Sequence, residues 1–77
     1  MKALITGGSG YFGSLLVNRL LIKKWDCRVF DLNAYDGSKS VQYLKGDIRD
    51  FNAIMDACEG IDVVFHNVAQ VPLAKDK

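Results

Sequence analysis

From Lys2 to Thr6 the chain reads KALIT, an apolar run that stops at a glycine. That pattern predicts a short strand buried on both faces. From Tyr11 onward the period changes. Phe12, Leu15, Leu16 and Leu20 recur at three- and four-residue steps, which predicts a helix with one wide apolar face through about Lys24. Lys23 and Lys24 fall at its C-terminal end, where the helix dipole favours cations. CRVFDL, residues 27 to 32, is again short and β-prone and predicts a second strand. The polar stretch NAYDGSKS follows as a loop of turn formers, and VQYL, residues 41 to 44, predicts a third strand. Asp50 then stands as an N-cap. Phe51, Ile54, Met55 and Cys58 occupy i, i+3, i+4 and i+7 of a second helix running to Glu59, with Gly60 at the C-terminal cap position. DVVFHN, residues 62 to 67, predicts a fourth strand, and the tail VAQVPLAKDK carries the sole proline, Pro72, and no further strand.

Strands separated by crossovers predict an α/β fold with a parallel sheet. If the fourth strand returns beside the first, the order is 3-2-1-4, and right-handed crossovers place the two helices on opposite faces. Chain direction then reverses between strands one and four, opening a crevice at their carboxyl ends.

Composition narrows the partners. The chain has 77 residues, 49% hydrophobic and 25% charged, enough for one small soluble domain whose stability margin is thin. Net charge is +1 with acids and bases interspersed, so nothing forms the basic footprint of a nucleic-acid or anionic-membrane binder. Cys27, Cys58 and the lone His66 make no metal-ligand spacing, and two unpaired thiols fit a reducing, cytoplasmic setting. No run is long enough to span a membrane, and MKALITGG lacks the apolar core and cleavage site of a signal peptide.

Chemistry enters at ITGGSGYFGSLL, where Gly7, Gly10 and Gly13 fall at three-residue intervals between strand and helix. A helix N-terminus offers unpaired N–H groups and a partial positive charge to a pyrophosphate, provided side chains are absent. Gly7 permits the turn, Gly10 admits the phosphate, and Gly13 allows close packing. By itself the spacing fits a plain flexible turn equally well. Asp31 ends the second strand a little over twenty residues later, where a ribose-binding acid belongs. Its carboxylate would repel a 2′-phosphate by about 4 kcal/mol at roughly 4 Å with an effective dielectric near 20, favouring NAD over NADP. Arg28 lies inside the strand, poorly placed to receive that phosphate. In GDIRD, residues 46 to 50, Asp47 and Ile48 stand where an adenine would lie; Asp47 equally suits the start of a turn.

TGGSGYFG, VFDLN, GDIRD and DVVFHNVA, in that order and over nearly the whole chain, resemble the N-terminal part of the extended short-chain dehydrogenase/reductases, the NAD-dependent epimerase/dehydratase group. The resemblance implies a Rossmann-type domain that binds NAD. Gly7, Gly10, Tyr11, Phe12 and Gly13 would lie at the pyrophosphate, Asp31 at the ribose, and Asp47 and Ile48 at the adenine, with Asn33 also among the cofactor-binding residues. Val68 and Ala69 would run along the cofactor, with Val68 bulkier than the alanine of the family's His-x-Ala-Ala pattern. His66 reads as a strand-end structural residue. Family chemistry is hydride exchange with a nucleotide sugar or related alcohol, assisted by a Tyr-x-x-x-Lys pair. The match Tyr35…Lys39 sits in a glycine-containing polar loop that cannot stack the two side chains, and is rejected. Thr6 and Ser9 read as turn and cap residues, not nucleophiles.

The chain therefore reads as a truncated NAD-binding domain without its substrate domain, inactive alone. Its fourth strand, left as an open edge, predicts a homo-oligomer. A non-catalytic NAD-binding or self-associating module, and a folded remnant without ligand, are the alternatives.

Overall fold

A computed structural model describes residues 1–67. Its elements are β1 (Lys2–Thr6), α1 (Tyr11–Ile22), β2 (Asp26–Asp31), β3 (Gln42–Lys45), α2 (Phe51–Ala57) and β4 (Val63–His66). The strands form one sheet in the order β3-β2-β1-β4, every pair parallel. This is the Rossmann-type order expected from the sequence.

Alternation along β1 assigns the two faces. Ala3 and Ile5 point into a cluster with Val17 and Leu20 of α1 and Cys27 and Val29 of β2. Leu4 points the other way, with Phe30 and Ala57 of α2, against Ile54 and Cys58. One helix covers each face, and β1 is buried on both. Asp62 ties the start of β4 to β1: its amide donates to the Lys2 carbonyl and its carboxylate accepts from the Lys2 amide, each at 2.8 Å.

Element bounds shift from the sequence reading by one or two residues. α1 stops at Ile22; Lys23 caps it and Lys24 turns left-handed, with φ 65°. β2 begins at Asp26, and β3 runs one residue beyond Leu44. α2 ends at Ala57, with Cys58 at its C-cap and Gly60 in the left-handed region.

The apolar faces differ more. Phe12, expected on the core face of α1, is 72% exposed, and Leu15 is also exposed. The buried residues of α1 are Gly13, Val17 and Leu20. In α2, Phe51 and Met55 are exposed and Ala57 is buried. Where helix and sheet approach closely, the contact surface takes small residues, which hydrophobic periodicity does not weight.

Candidate functional site

The carboxyl ends of all four parallel strands open on a single cavity of about 440 Å³. Each wall comes from the segment following a strand. After β1, Gly7 adopts φ 70° and its amide extends the ladder to the Phe30 carbonyl at 2.9 Å. The Gly10 amide closes the turn onto the Gly7 carbonyl at 3.1 Å, and Gly10 becomes the N-cap of α1. No side chain caps this helix. Its first turn thus presents backbone N–H groups that no intrahelical carbonyl can reach.

The three glycines contribute unequally. A Cβ on Gly13 would overlap the Gly7 carbonyl oxygen and lie 2.7 Å from the Gly8 Cα, so the helix is held against the turn itself. A Cβ on Gly10 would meet only the Gly7 oxygen, at 3.4 Å. Its absence leaves the cavity side open. Tyr11 and Phe12 flank this corner in an edge-to-face pair, centroids 5.3 Å apart, both largely exposed.

The second wall is the end of β2. Asp31 lines the cavity, its Oδ2 accepting from the Ser9 amide at 3.1 Å and its Oδ1 from the Asn33 amide at 2.9 Å. A carboxylate has about four acceptor positions, so two remain for donors entering the cavity. Ser9 Oγ donates to the Asn33 carbonyl at 2.8 Å, a second tie between the glycine turn and the β2 end. Ser9 is therefore not a helix cap, as the sequence suggested; Gly10 holds that position and the serine bridges two cavity walls.

The third wall follows β3. Gly46 lies against the Phe30 ring, leaving no room for a Cβ. Asp47 and Ile48 line the cavity next to it. The Asp47 carbonyl accepts from the Asp50 amide at 2.9 Å, so Asp47 does begin a turn. Its carboxylate meanwhile faces Arg49, which donates from its amide at 2.9 Å, from Nε at 3.1 Å to both oxygens, and from Nη2 at 2.6 Å. Those hydrogen bonds hold the Asp47 carboxyl down at about 2. The group is an acceptor throughout the neutral range.

The fourth wall is the end of β4, with His66 and Asn67. Thr6, buried at the end of β1, bonds His66 Nδ1 at 2.9 Å, and its hydroxyl also accepts from the Asn67 amide at 3.1 Å. His66 thus has the strand-end structural contact expected of it.

The cavity brings together Gly7, Gly10, Tyr11, Phe12, Gly13, Asp31, Asn33, Asp47 and Ile48. Val68 and Ala69 lie outside the described residues. Gly8, Ser9, Gly46 and Arg49 were not singled out as site residues by the sequence, though all four fall within the quoted motifs. Tyr35 and Lys39 lie in the non-helical connection between β2 and β3, and Tyr35 packs against the α1-side core. Among the described residues no group of three potential metal ligands occurs, and no helix is long and apolar enough to cross a membrane.

Comparison with known proteins gives these features a context. The 3-beta hydroxysteroid dehydrogenase/isomerase family matches residues 4–77. An uncharacterized protein, y4nG, of Sinorhizobium fredii is 59% identical over 76 residues, 97% of this chain and 19% of that protein. The UDP-glucose 4-epimerase of Thermus thermophilus, solved in complex with NAD, superposes with a TM-score of 0.80 at 32% identity, over 91% of this chain and 24% of that one. A short-chain dehydrogenase/reductase superfamily protein from Agrobacterium tumefaciens, solved with bound NAD, superposes with a TM-score of 0.81 at 28% identity, over 96% of this chain and 22% of that one. The chain spans between 19% and 25% of the lengths of the first curated relatives it matches.

Proposed function

The chain belongs to the 3-beta hydroxysteroid dehydrogenase/isomerase family, and from that membership we propose that its strand-end cavity binds NAD. The observation that carries this reading is the meeting, in one cavity, of a side-chain-free helix start with a carboxylate that keeps two acceptor positions open. Gly10 leaves the space a pyrophosphate needs beside the amides of Tyr11, Phe12 and Gly13. Asp31 accepts from the two adenosine ribose hydroxyls, with Asn33 at the same edge. Asp47 accepts from the adenine amine, and Ile48 packs on the ring.

The bound nicotinamide supplies a hydride acceptor or donor; this chain's residues bind and orient it. We assign residues 1–77 to the dinucleotide-binding part of an enzyme that oxidises and re-reduces an alcohol carbon. The substrate class is a nucleotide sugar or related alcohol, bound by residues elsewhere in such an enzyme. The NAD-bound relatives support the cofactor, and the motif order supports the alignment of parts. The side of β4 that has no partner strand among the described residues supports self-association of the isolated chain.

Titration calorimetry with NAD, NADP and ADP-ribose tests the site. NAD and ADP-ribose are expected to bind, NADP at least about tenfold more weakly through repulsion between Asp31 and the 2′-phosphate. Asp31→Ala is expected to bring the NAD and NADP affinities together. An unchanged ratio in that variant would remove Asp31 from the ribose, and no binding of any of the three would remove the cofactor.

A further inference from the structure

Ser9 does not line the strand-end cavity, yet it is bonded to two of the segments that wall it. From the glycine turn its amide donates to Asp31 Oδ2 at 3.1 Å, and its hydroxyl donates to the Asn33 carbonyl at 2.8 Å. The Asn33 amide in turn donates to Asp31 Oδ1 at 2.9 Å. The three bonds close a ring from Ser9 to Asp31, on to Asn33 and back to Ser9. Two of the donors are backbone amides, and the Ser9 hydroxyl is the one side-chain donor among them. Asn33 lies past the end of β2, where no strand ladder holds it. The serine hydroxyl ties it to the glycine turn instead.

This ring fixes a carboxylate that borders the cavity. Among the described residues one donor reaches each Asp31 oxygen, which leaves about one acceptor position on each. Bonds on both oxygens also stop the group from turning. Two acceptors side by side on a fixed carboxylate match a vicinal diol, one hydroxyl donating to each oxygen. We infer that Ser9 is a positioning residue whose hydroxyl, through Asn33, holds Asp31 in the orientation that selects an intact adenosine ribose. The inference rests on the NAD reading above and adds to it the group that sets the aim of the acid. Without the hydroxyl, Asn33 is released from the glycine turn and its amide loosens from Oδ1. The carboxylate then keeps one firm donor, the Ser9 amide, and swings away from the diol. The phosphate corner does not depend on this hydroxyl, because the Gly10 amide closes that turn on the Gly7 carbonyl. The loss therefore falls on the ribose hydroxyls.

The test compares binding of NAD to the 77-residue chain with that of its analogue lacking the adenosine 2′-hydroxyl. The compounds differ at one group, so a general loss of structure leaves their ratio unmoved. Wild type is expected to prefer NAD by at least about tenfold, the discrimination supplied by one hydrogen bond to a charged group. Ser9→Ala is expected to bring the preference within about threefold, by weakening NAD and leaving the deoxy analogue nearly unchanged. Alanine meets no backbone strain there, since Lys24 is the one non-glycine residue with positive φ among the described residues. Ser9→Gly removes the same hydroxyl by a different change and is expected to match Ser9→Ala. Ser9→Thr keeps a hydroxyl on the same carbon and is expected to hold the wild-type preference. A preference of about tenfold that persists without the hydroxyl overturns the inference and leaves the NAD site standing. So does a Ser9→Thr protein no more selective than Ser9→Ala. NAD binding by wild type without any preference overturns it together with the contact between Asp31 and the ribose. Failure of wild type to bind either compound overturns the NAD reading as well.

Discussion

Gly13 and Gly10 look equivalent in the sequence, yet they carry different constraints. A methyl group on Gly13 collides with backbone on two sides, the Gly7 carbonyl and the Gly8 Cα, and neither can rotate away. On Gly10 the same group meets one carbonyl oxygen at 3.4 Å, an ordinary contact. Gly13→Ala is therefore expected to destabilise the fold by about 1–3 kcal/mol, the range for overpacking a closed contact. At about 4–8 °C per kcal/mol for a domain of this size, that loss is visible in a thermal melt. Gly10→Ala is expected to melt within about 5 °C of wild type and to weaken NAD binding instead, through the methyl group placed at the phosphate side. Equal melting losses in the two variants would contradict this division. The places of Gly7, Gly10 and Asp31 in the fold were legible because their signals are local: a turn, a bare helix start, an acid at a strand end. Gly8, Gly46 and Ser9 act on what lies across from them, namely Val29, Phe30 and Asn33. That information is absent from spacing along the chain.

Helix α2 shows the same division one level up. Seven residues are too few for a helix to persist on propensity alone, so its ends and its packing must hold it. Asp50 caps the first turn, Oδ1 accepting from the Ala53 amide at 3.1 Å. Arg28 reaches across from β2 to the far end, donating to the carbonyls of Ala57 at 2.7 Å and Glu59 at 2.8 Å. Asp50→Ala is expected to lower stability by about 1 kcal/mol, the usual loss of an N-cap, and the melting temperature by about 4–8 °C. Asp50→Asn keeps an acceptor at the same position and should melt near wild type. An Asp50→Ala protein with unchanged melting would mean that packing and Arg28 suffice. The cap and the glycine after it were readable as signals, and so was the order of elements; the family match bears out the resemblance those motifs carried. The buried stripes were readable in part: Leu16 and Leu20 of α1 and Ile54 and Cys58 face the two cores as their period predicts. Phe12, Leu15, Phe51 and Met55 fit a helical period but point outward, and the close contacts belong to Gly13 and Ala57.

At the scale of the whole molecule, the two sheet edges are unlike. β3 carries Gln42 and Lys45 at its ends, and an edge lysine discourages pairing with another chain. β4 reads VVFH, pairs on one side with β1, and has no partner strand on the other among the described residues. Beside it runs an apolar groove that includes Leu15, Leu16, Leu20, Ile22, Trp25 and Phe65. Trp25 and Phe65 meet there with ring centroids 6.2 Å apart. Backbone donors along an uncharged edge and a neighbouring apolar surface act together. The first sets register; the second supplies the burial that hydrogen bonds exchanged with water do not. A chain that spans 19% of one relative's length, taken alone, is thus expected to associate through β4. Light scattering should then give a mass at least twice the 8.6 kDa of one chain, rising with concentration. Val64, half exposed on β4, offers the decisive change: Val64→Lys puts a charge on the edge without touching either buried cluster. That variant should return to the mass of a single chain and keep its affinity for NAD, because Val64 does not line the strand-end cavity. A wild-type chain that stays at 8.6 kDa at high concentration would show that edge and groove are tolerated uncovered.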